Sequence, residues 1–209
     1  MALTLFGSPG SGSAAVEMAL RAAAAPYSLF RASSWEPDTL PALLRVNPLG
    51  QIPTLVLEDG SVLTESAAIL LCIAQRYPEA GLLPRNEGAL FQALRGLTFI
   101  AANCYPAVSV TDHPERWTNA NTRSAHDHVR QAARHRLHRS WEVFADLFHK
   151  HESMDTVKPG VLAFLAVTVS QWSGTRAFLK ANRSRFHLLL TRLEQNPVIA
   201  SVLAAHRDA

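Results

Sequence analysis

The chain has 209 residues, of which 48% are hydrophobic and 18% charged, so it is long and apolar enough for one or two globular domains and is not a disordered chain. Two cysteines, Cys72 and Cys104, are too few for a disulfide framework or a four-thiolate zinc site. A net charge of +3 does not require a nucleic-acid partner.

The first 84 residues alternate between strand and helix signals. The predicted elements are strands at 3–6 and 27–31, helices at about 13–24 and 40–46, a hairpin at 54–64 with a Glu-Asp-Gly turn, and a helix opened by Glu65 and Ser66. The order βαβαββα predicts a single sheet of four short strands with helices on both faces.

From Glu87 onwards the sequence shows no strand signal. Helical spacing of apolar residues predicts helices from about Glu87, at 119–149, at 161–172, around 186–193 and after Pro197. The segment VLAFLAVTVSQW (161–172) is apolar nearly all round, which indicates a helix buried at the centre of a bundle. We therefore expect an all-α helical bundle in this part of the chain.

Charge and histidine content also change along the chain. Residues 1–84 carry four Arg and seven acids, whereas residues 85–209 carry sixteen Lys or Arg, ten acids and all nine His. This change predicts two domains, 1–80 and 87–209, with a boundary near LLPRNEG. The sequence begins with no basic segment followed by an apolar signal core, and no apolar run approaches a membrane span. We expect a cytoplasmic protein with reduced thiols and neither a membrane nor a nucleic-acid partner.

The segment NPLGQIPTLVLEDGSVLTESAAI (47–69) carries the most specific pattern. Pro53 stands directly before a strand, so the chain at Gln51-Ile52 cannot run helically into it. A cis Ile52–Pro53 bond would turn the chain sharply and expose the backbone N–H and C=O groups of Ile52. An extended peptide can pair with such groups as an added strand. This end of the segment therefore predicts peptide binding.

The other end of the same segment, Glu65-Ser66, opens a helix. A serine at a helix start, surrounded by free N–H groups, binds a carboxylate well. The carboxylate of Glu65 beside it can pair with an ammonium group. The two residues together predict a site for the acid and the amine of an α-amino acid.

Residues 47–69 resemble the glutathione-binding core of the cytosolic glutathione transferases, because they match NPxGxIPxLxxxDGxxLxESxAI almost letter for letter. The order of elements resembles that family over the whole chain, and is similar to bacterial-type members of the beta, theta and zeta classes. The resemblance implies a thioredoxin-like N-terminal domain, an all-helical C-terminal domain and a homodimer.

The same resemblance implies the roles of five residues. Ile52 would pair with the cysteinyl backbone of glutathione, Pro53 would be the family's cis-proline, and Gln51 would lie near by. Glu65 and Ser66 would take the γ-glutamyl end. The implied function is a glutathione transferase of the detoxification type, which conjugates the thiolate of its co-substrate glutathione to a small hydrophobic electrophile.

The loop FGSPGSGS follows the first predicted strand, where the resemblance places the glutathione thiol. The position of the beta-class catalytic cysteine falls on Gly12, and the first serine of the theta-class pattern falls on Gly10. A serine of the zeta-like pattern falls on Ser11, which we expect to activate the thiol. Ser13, the natural N-cap by position, is the next candidate. Ser8, backbone N–H groups, water or a residue of the helical domain stay as alternatives.

Three further residues belong to the electrophile pocket if the resemblance holds. Tyr105, Ser109 and Trp172 are expected on helices that border this pocket, although packing between helices is the other reading of each. Histidine pairs occur in the basic helices, but no carboxylate or thiolate completes a set of metal ligands, so we expect no metal.

Two departures from the family pattern leave other functions open. Gly12 stands in place of the cysteine, which argues against thiol–disulfide chemistry by the protein itself. Gly160 and Ala163 stand where a Ser or Thr cap and an Asp usually begin the buried helix. The alternatives are a glutathione-dependent isomerase, lyase or peroxidase, and a non-catalytic glutathione-fold protein used for binding or assembly.

Overall fold

The computed structural model describes residues 2–207. Its N-terminal part contains strands β1 (Leu3–Gly7), β2 (Tyr27–Arg31), β3 (Thr54–Val56) and β4 (Val62–Leu63) and helices α1 (Ser13–Ala22), α2 (Leu40–Val46) and α3 (Ser66–Arg76). The strands form one sheet in the order β2-β1-β3-β4, with β2 parallel to β1 and the other two pairs antiparallel. The predicted order of elements is confirmed.

Helices cover both faces of the sheet because the strand side chains alternate in direction. Leu5 of β1 and Leu55 of β3 are fully buried in the main core with the apolar residues of α1 and α3. Phe6, the next residue along β1, lies in a smaller cluster with Leu43 of α2. The sheet is therefore the middle layer of three, and its edges and loops are left to form a site.

The remainder of the described chain is helical from Glu87. It contains α4 (Glu87–Phe99), α5 (Tyr105–Asp112), α6 (Arg123–Phe148), α7 (Val161–Val169), α8 (Thr175–Asn182), α9 (Ser184–Leu193) and α10 (Pro197–Arg207). A π-helical turn at Ile100–Cys104 joins α4 directly to α5. No helix within residues 2–207 combines the length and apolar character that crossing a membrane requires.

Helix α7 occupies the centre of the helical part, and all of its residues are buried, as its sequence predicts. It ends at Val169, however, and not at Trp172. Ser173 and Gly174 follow with φ angles of 55° and 77°, so the backbone leaves the right-handed helix and turns towards α8. Trp172 lies in this turn, and α8 itself was missed by the sequence prediction.

The start of α7 explains the departure from the family's capping pattern. Gly160 is the N-cap residue and makes no side-chain hydrogen bond, but the Val161 N–H donates to the backbone carbonyl of Leu82 at 3.0 Å. A Cβ atom on Gly160 would lie 2.8 Å from that same oxygen. The main chain of another segment therefore caps this helix, and it leaves room only for glycine.

Candidate functional site

A cavity of about 690 Å³ lies between the loops at one end of the sheet and helix α5. This volume is in the range of sites for small ligands. It brings together nine of the ten residues that the sequence indicated: Ser11, Gln51, Ile52, Pro53, Glu65, Ser66, Tyr105, Ser109 and Trp172. Ser13 is fully buried behind this lining. The roles of these residues stay predictions, but their common location makes one shared site possible.

One wall of the cavity is the loop before β3. The Ile52–Pro53 peptide bond is cis. The carbonyl of Gln51 accepts hydrogen bonds from Asn47 Nδ2 at 2.9 Å and from Thr54 Oγ1 at 2.8 Å, so the loop is anchored from both sides. Within the part of the chain that the structure describes, neither backbone polar group of Ile52 makes a hydrogen bond. Ile52 therefore presents an unpaired N–H and C=O beside the cavity.

Asn47 belongs to this site although the sequence prediction gave it no role. It is buried, and its amide also donates to Thr54 Oγ1 at 3.0 Å. The first letter of the NPxG pattern thus fixes the loop that carries Ile52. Its spacing to Pro53 was the available signal.

The start of α3 also lines the cavity. Glu65 is exposed and has φ 63° and ψ 108°, a conformation that a non-glycine residue seldom adopts. Such backbone strain costs of the order of 1–3 kcal/mol and is found preferentially at functional sites. Ser66 and Ala67 begin the helix and line the cavity. The first N–H groups of a helix have no partner within the helix, so this wall offers donors to an anion.

The loop between β1 and α1 differs from the prediction in one respect. Ser13 is the first residue of α1 rather than its N-cap, because Gly12 already has helical angles. The hydroxyl of Ser11 takes the capping role by accepting from Ser13 N–H at 3.2 Å. The same hydroxyl lies 2.6 Å from the carbonyl of Ser8, to which it donates, and 2.9 Å from Ser13 Oγ. The serine hydroxyls therefore bond to the loop and to one another.

Tyr105, the first residue of α5, reaches across the cavity to this loop. A Cβ atom on Gly12 would lie 3.2 Å from the ring carbon Cζ of Tyr105, and it would overlap the hydroxyl oxygen. The ring packs edge-on against Trp172, with 5.5 Å between the centroids and 65° between the planes. Burial, together with the negative charge of Glu65, raises the pKa of Tyr105 to about 12. The hydroxyl is therefore protonated and able to donate throughout the physiological pH range.

The mouth of the cavity carries residues that the sequence prediction missed. Trp35 and Trp117 line it, and their side chains are 61% and 56% exposed. Asp112 and Arg116 are the charged residues of the α5 side. Both side chains therefore offer exposed aromatic surface beside the cavity. Their spacing gave no signal, since the cavity collects them from separate segments.

Neither cysteine belongs to this site. Burial raises the pKa of the Cys104 thiol to about 12, and Cys72 on α3 also has a raised pKa because of burial. Neither residue is among those that line the cavity. In residues 2–207, no group of three or more His, Cys, Asp or Glu side chains is placed to hold a metal ion.

The four-stranded mixed sheet with its three helices, followed by a helical region, is the architecture of the glutathione transferases, with a thioredoxin-like first part. Residues 13–76 match the family described as glutathione S-transferase, N-terminal domain. The resemblance read from residues 47–69 is thereby confirmed.

Two curated bacterial proteins are similar to part of the chain. The uncharacterized GST-like protein YncG of Escherichia coli (strain K12) is 39% identical over 118 residues, which are 55% of this chain and 57% of YncG. The glutathione S-transferase GstA of Escherichia coli O157:H7 is 29% identical over 116 residues, which are 54% of this chain and 58% of GstA. The chain thus spans little more than half the length of these relatives.

The likeness of the fold extends further than the likeness of the sequence. A glutathione transferase homolog from Sulfitobacter, solved with bound glutathione, superimposes with a TM-score of 0.78 and covers 98% of both chains. The two sequences are 24% identical, so the comparison concerns the fold.

Proposed function

We propose that this protein binds glutathione in the cavity and transfers its thiolate to a small hydrophobic electrophile, as glutathione transferases of the detoxification type do. The observation that carries the proposal is that Ile52 and the start of α3 line the same cavity. One wall offers an unpaired backbone edge, and the other offers a carboxylate beside free helix N–H groups. Glutathione is a tripeptide with an α-amino acid group at one end, which suits both walls.

In the proposed complex the cysteinyl backbone of glutathione pairs with the N–H and C=O groups of Ile52. The γ-glutamyl carboxylate accepts from Ser66 and the first N–H groups of α3, where the helix dipole favours an anion. The γ-glutamyl ammonium pairs with Glu65, and Gln51 stands beside the peptide. Pro53 lies between this backbone and Gly12, because its Cδ atom would be in van der Waals contact, at 3.5 Å, with a Cβ atom on Gly12.

This pose directs the thiol towards the start of α1. An ordinary thiol pKa of about 8.5 leaves little thiolate at neutral pH, and lowering it by about two units requires roughly 2.7 kcal/mol. The helix N-terminus contributes about 0.3–1 kcal/mol, and one hydrogen bond to the charged sulfur roughly 1.5–3 kcal/mol. One well-placed donor is therefore needed. Ser11 stays a candidate, but its single proton is donated to Ser8, and Ser13 lies behind the cavity lining.

The electrophile is proposed to bind between the sulfur and the mouth of the cavity. Tyr105 and Trp172 form an aromatic corner there, Trp35 and Trp117 flank the opening, and Ser109 adds one polar group. These surfaces favour a flat, apolar molecule, because aromatic rings stack and bury large areas. An aromatic electrophile of the chloronitrobenzene type fits this description.

The proposal includes a homodimer in the cytoplasm, on the basis of the family resemblance, and division of the chain into domains 1–80 and 87–209. The division is supported by the change from a sheet with helices to helices alone after the short helical turn at Pro78–Ala80.

Calorimetric titration with glutathione tests the binding step, and turnover of a panel of chloronitrobenzene-type electrophiles tests the transfer step. We expect saturable binding and measurable conjugation, with much weaker binding by Glu65→Gln and unchanged binding by Glu79→Gln, an exposed residue outside the cavity. A wild-type protein that does not bind glutathione refutes the proposal. Binding without turnover of any electrophile would leave only the non-catalytic binding function.

A further inference from the structure

The space above Gly12 is the starting observation. Gly12 stands where the resemblance would place a beta-class cysteine, and the Tyr105 hydroxyl occupies the volume that a side chain at position 12 would fill. Any side chain larger than hydrogen at this position must displace that hydroxyl. The two residues are therefore complementary. Position 12 has no reactive side chain, and the phenol of Tyr105 on α5 occupies the space where that side chain would lie.

The Tyr105 hydroxyl is held in position, but no other group of the described chain forms a hydrogen bond with it. Trp172 fixes the ring from one side, and the π-helical turn Ile100–Cys104 comes directly before it. Such turns occur frequently at functional sites. In the residues that the structure describes, the hydroxyl faces the cavity and the Gly12 backbone and makes no hydrogen bond. Tyr105 is half-buried and lines the cavity, so its hydroxyl is open to a partner that enters there.

The serine hydroxyls do not have this freedom. Each carries one proton, and Ser11 donates its proton to the Ser8 carbonyl at 2.6 Å while accepting from the Ser13 N–H. To bind a thiolate, Ser11 must break the bond to Ser8 and leave a buried carbonyl with a weaker partner. Tyr105 pays no such cost, since its hydroxyl has no bond to break.

We infer that Tyr105 is a catalytic residue, whose hydroxyl donates the hydrogen bond that stabilises the glutathione thiolate above Gly12. This inference rests on the proposed function, because it concerns the sulfur of the glutathione bound there. The phenol replaces the side chain that the loop lacks, and it comes from the helical part of the chain rather than from the thioredoxin-like part.

The step balances without any other cofactor. The thiol proton leaves to water, and the Tyr105 O–H, which stays protonated, points at the sulfur anion. A sulfur lone pair then forms the C–S bond to an aryl halide, and the halide leaves with the electron pair of the broken bond. The charged side chains that line the cavity on facing elements are Glu65, Asp112 and Arg116. Glu65 opposes ionisation of the phenol and so preserves its donor role.

Tyr105→Phe removes only the oxygen and keeps the ring against Trp172, so it is the direct test. The pKa of bound glutathione is read from the ultraviolet absorbance of the thiolate as pH is raised, with Tyr77→Phe, outside the cavity, as the matched control. We expect Tyr105→Phe to raise the bound thiol pKa by about 1–2 units and to lower kcat/KM about 10- to 100-fold below that pKa. Tyr77→Phe should match the wild type.

Gly12→Ala is the second variant, because its methyl group must displace the hydroxyl and, with it, the rigid ring that carries it. It should raise the thiol pKa in the wild-type background and add little in the Tyr105→Phe background, since both changes remove one interaction. Circular dichroism melting checks that both variants fold.

The outcomes separate the inference from the proposed function. If Tyr105→Phe binds glutathione with an unchanged thiol pKa, or if the two changes are additive, the inference is wrong and the glutathione site stands. If the wild type conjugates electrophiles while its bound thiol keeps the ordinary pKa, the inference is also wrong. If the wild type binds no glutathione, the proposed function fails, and the inference fails with it.

Discussion

Helices α1 and α7 both begin beside a glycine that stands where a glutathione transferase is expected to have a polar or reactive residue. At α7, the space beside Gly160 is filled by the backbone carbonyl of Leu82, which itself caps the helix. At α1, the space beside Gly12 is filled by the hydroxyl of Tyr105, which faces a cavity and bonds to nothing in the described chain. The space beside one glycine thus holds a completed hydrogen bond, and the space beside the other holds a hydroxyl that faces the cavity.

The difference lies in what fills the vacated volume. The Leu82 carbonyl oxygen already accepts a hydrogen bond, and Gly160 only makes room for it. The Tyr105 hydroxyl has a proton that it does not donate within the described chain, so a ligand can accept it. We therefore expect changes at α7 to alter stability and changes at α1 to alter the chemistry of bound glutathione.

The largest effect on stability is expected from Gly160→Ala. Its Cβ would lie 2.8 Å from the Leu82 carbonyl, so the backbone must shift, and overpacking of this kind costs about 1–3 kcal/mol. Urea unfolding measures this cost, and the pKa of bound glutathione should not change. Gly88→Ala, in the exposed first turn of α4, is the control and should be neutral or slightly stabilising. An equal effect of both would contradict the role given to Leu82.

Glu65→Gly should act in opposite directions on stability and on binding. Glycine adopts positive φ without strain, so relief at this position should stabilise the protein by about 1 kcal/mol. Loss of the carboxylate should weaken glutathione binding about tenfold or more. Unfolding and calorimetric titration measure the two effects. A variant that is less stable, or that binds as tightly, would show that the strained conformation does not serve the ligand.

Ser11→Ala should cost about 1 kcal/mol of stability, because the hydroxyl caps α1 by accepting from Ser13. Under the inference made for Tyr105, it should leave the pKa of bound glutathione almost unchanged. The sequence alone favours the opposite result, in which Ser11 holds the thiolate. A rise in the thiol pKa as large as that of Tyr105→Phe would return the catalytic role to Ser11.

The smallest expected effect is a change in the stability of the folded protein at alkaline pH. The pKa of Tyr105 is raised from 10.0 to about 12, so the folded protein favours the neutral phenol. A raised pKa contributes stability that is complete below the unfolded value near pH 10 and is lost as pH rises towards 12. The wild type should therefore lose more stability than Tyr105→Phe between these pH values. If thermal melts show that both proteins lose the same stability over this pH range, the burial of the Tyr105 hydroxyl is contradicted.

Sequence reasoning located the cavity lining best where neighbouring residues form it. Ile52 and Pro53 are adjacent, and Glu65 and Ser66 stand at the start of a helix, so their positions follow from local backbone geometry. The fold followed from the same local signals, because the strand and helix periods are written along the chain. The one missed helix, α8, is short and follows a turn with two left-handed residues that its sequence did not announce.

It worked least well where distant elements meet. Tyr105 was placed at the electrophile pocket, and nothing in its sequence surroundings indicated that its hydroxyl reaches Gly12, 93 positions earlier. Ser11 was favoured because a serine of the zeta-like pattern falls there, and its bond to Ser8 is visible only in the folded loop. The available hint was the glycine in the cysteine position, which signals a space but does not say which side chain fills it.

A structure of the complex with glutathione tests the central claim most directly. We expect the cysteinyl backbone to pair with Ile52, the γ-glutamyl group to sit at Glu65 and Ser66, and the sulfur to lie within hydrogen-bond distance of the Tyr105 hydroxyl, with Ser11 still bonded to Ser8. A sulfur bonded to Ser11, with the Tyr105 hydroxyl turned away from it, would contradict the claim.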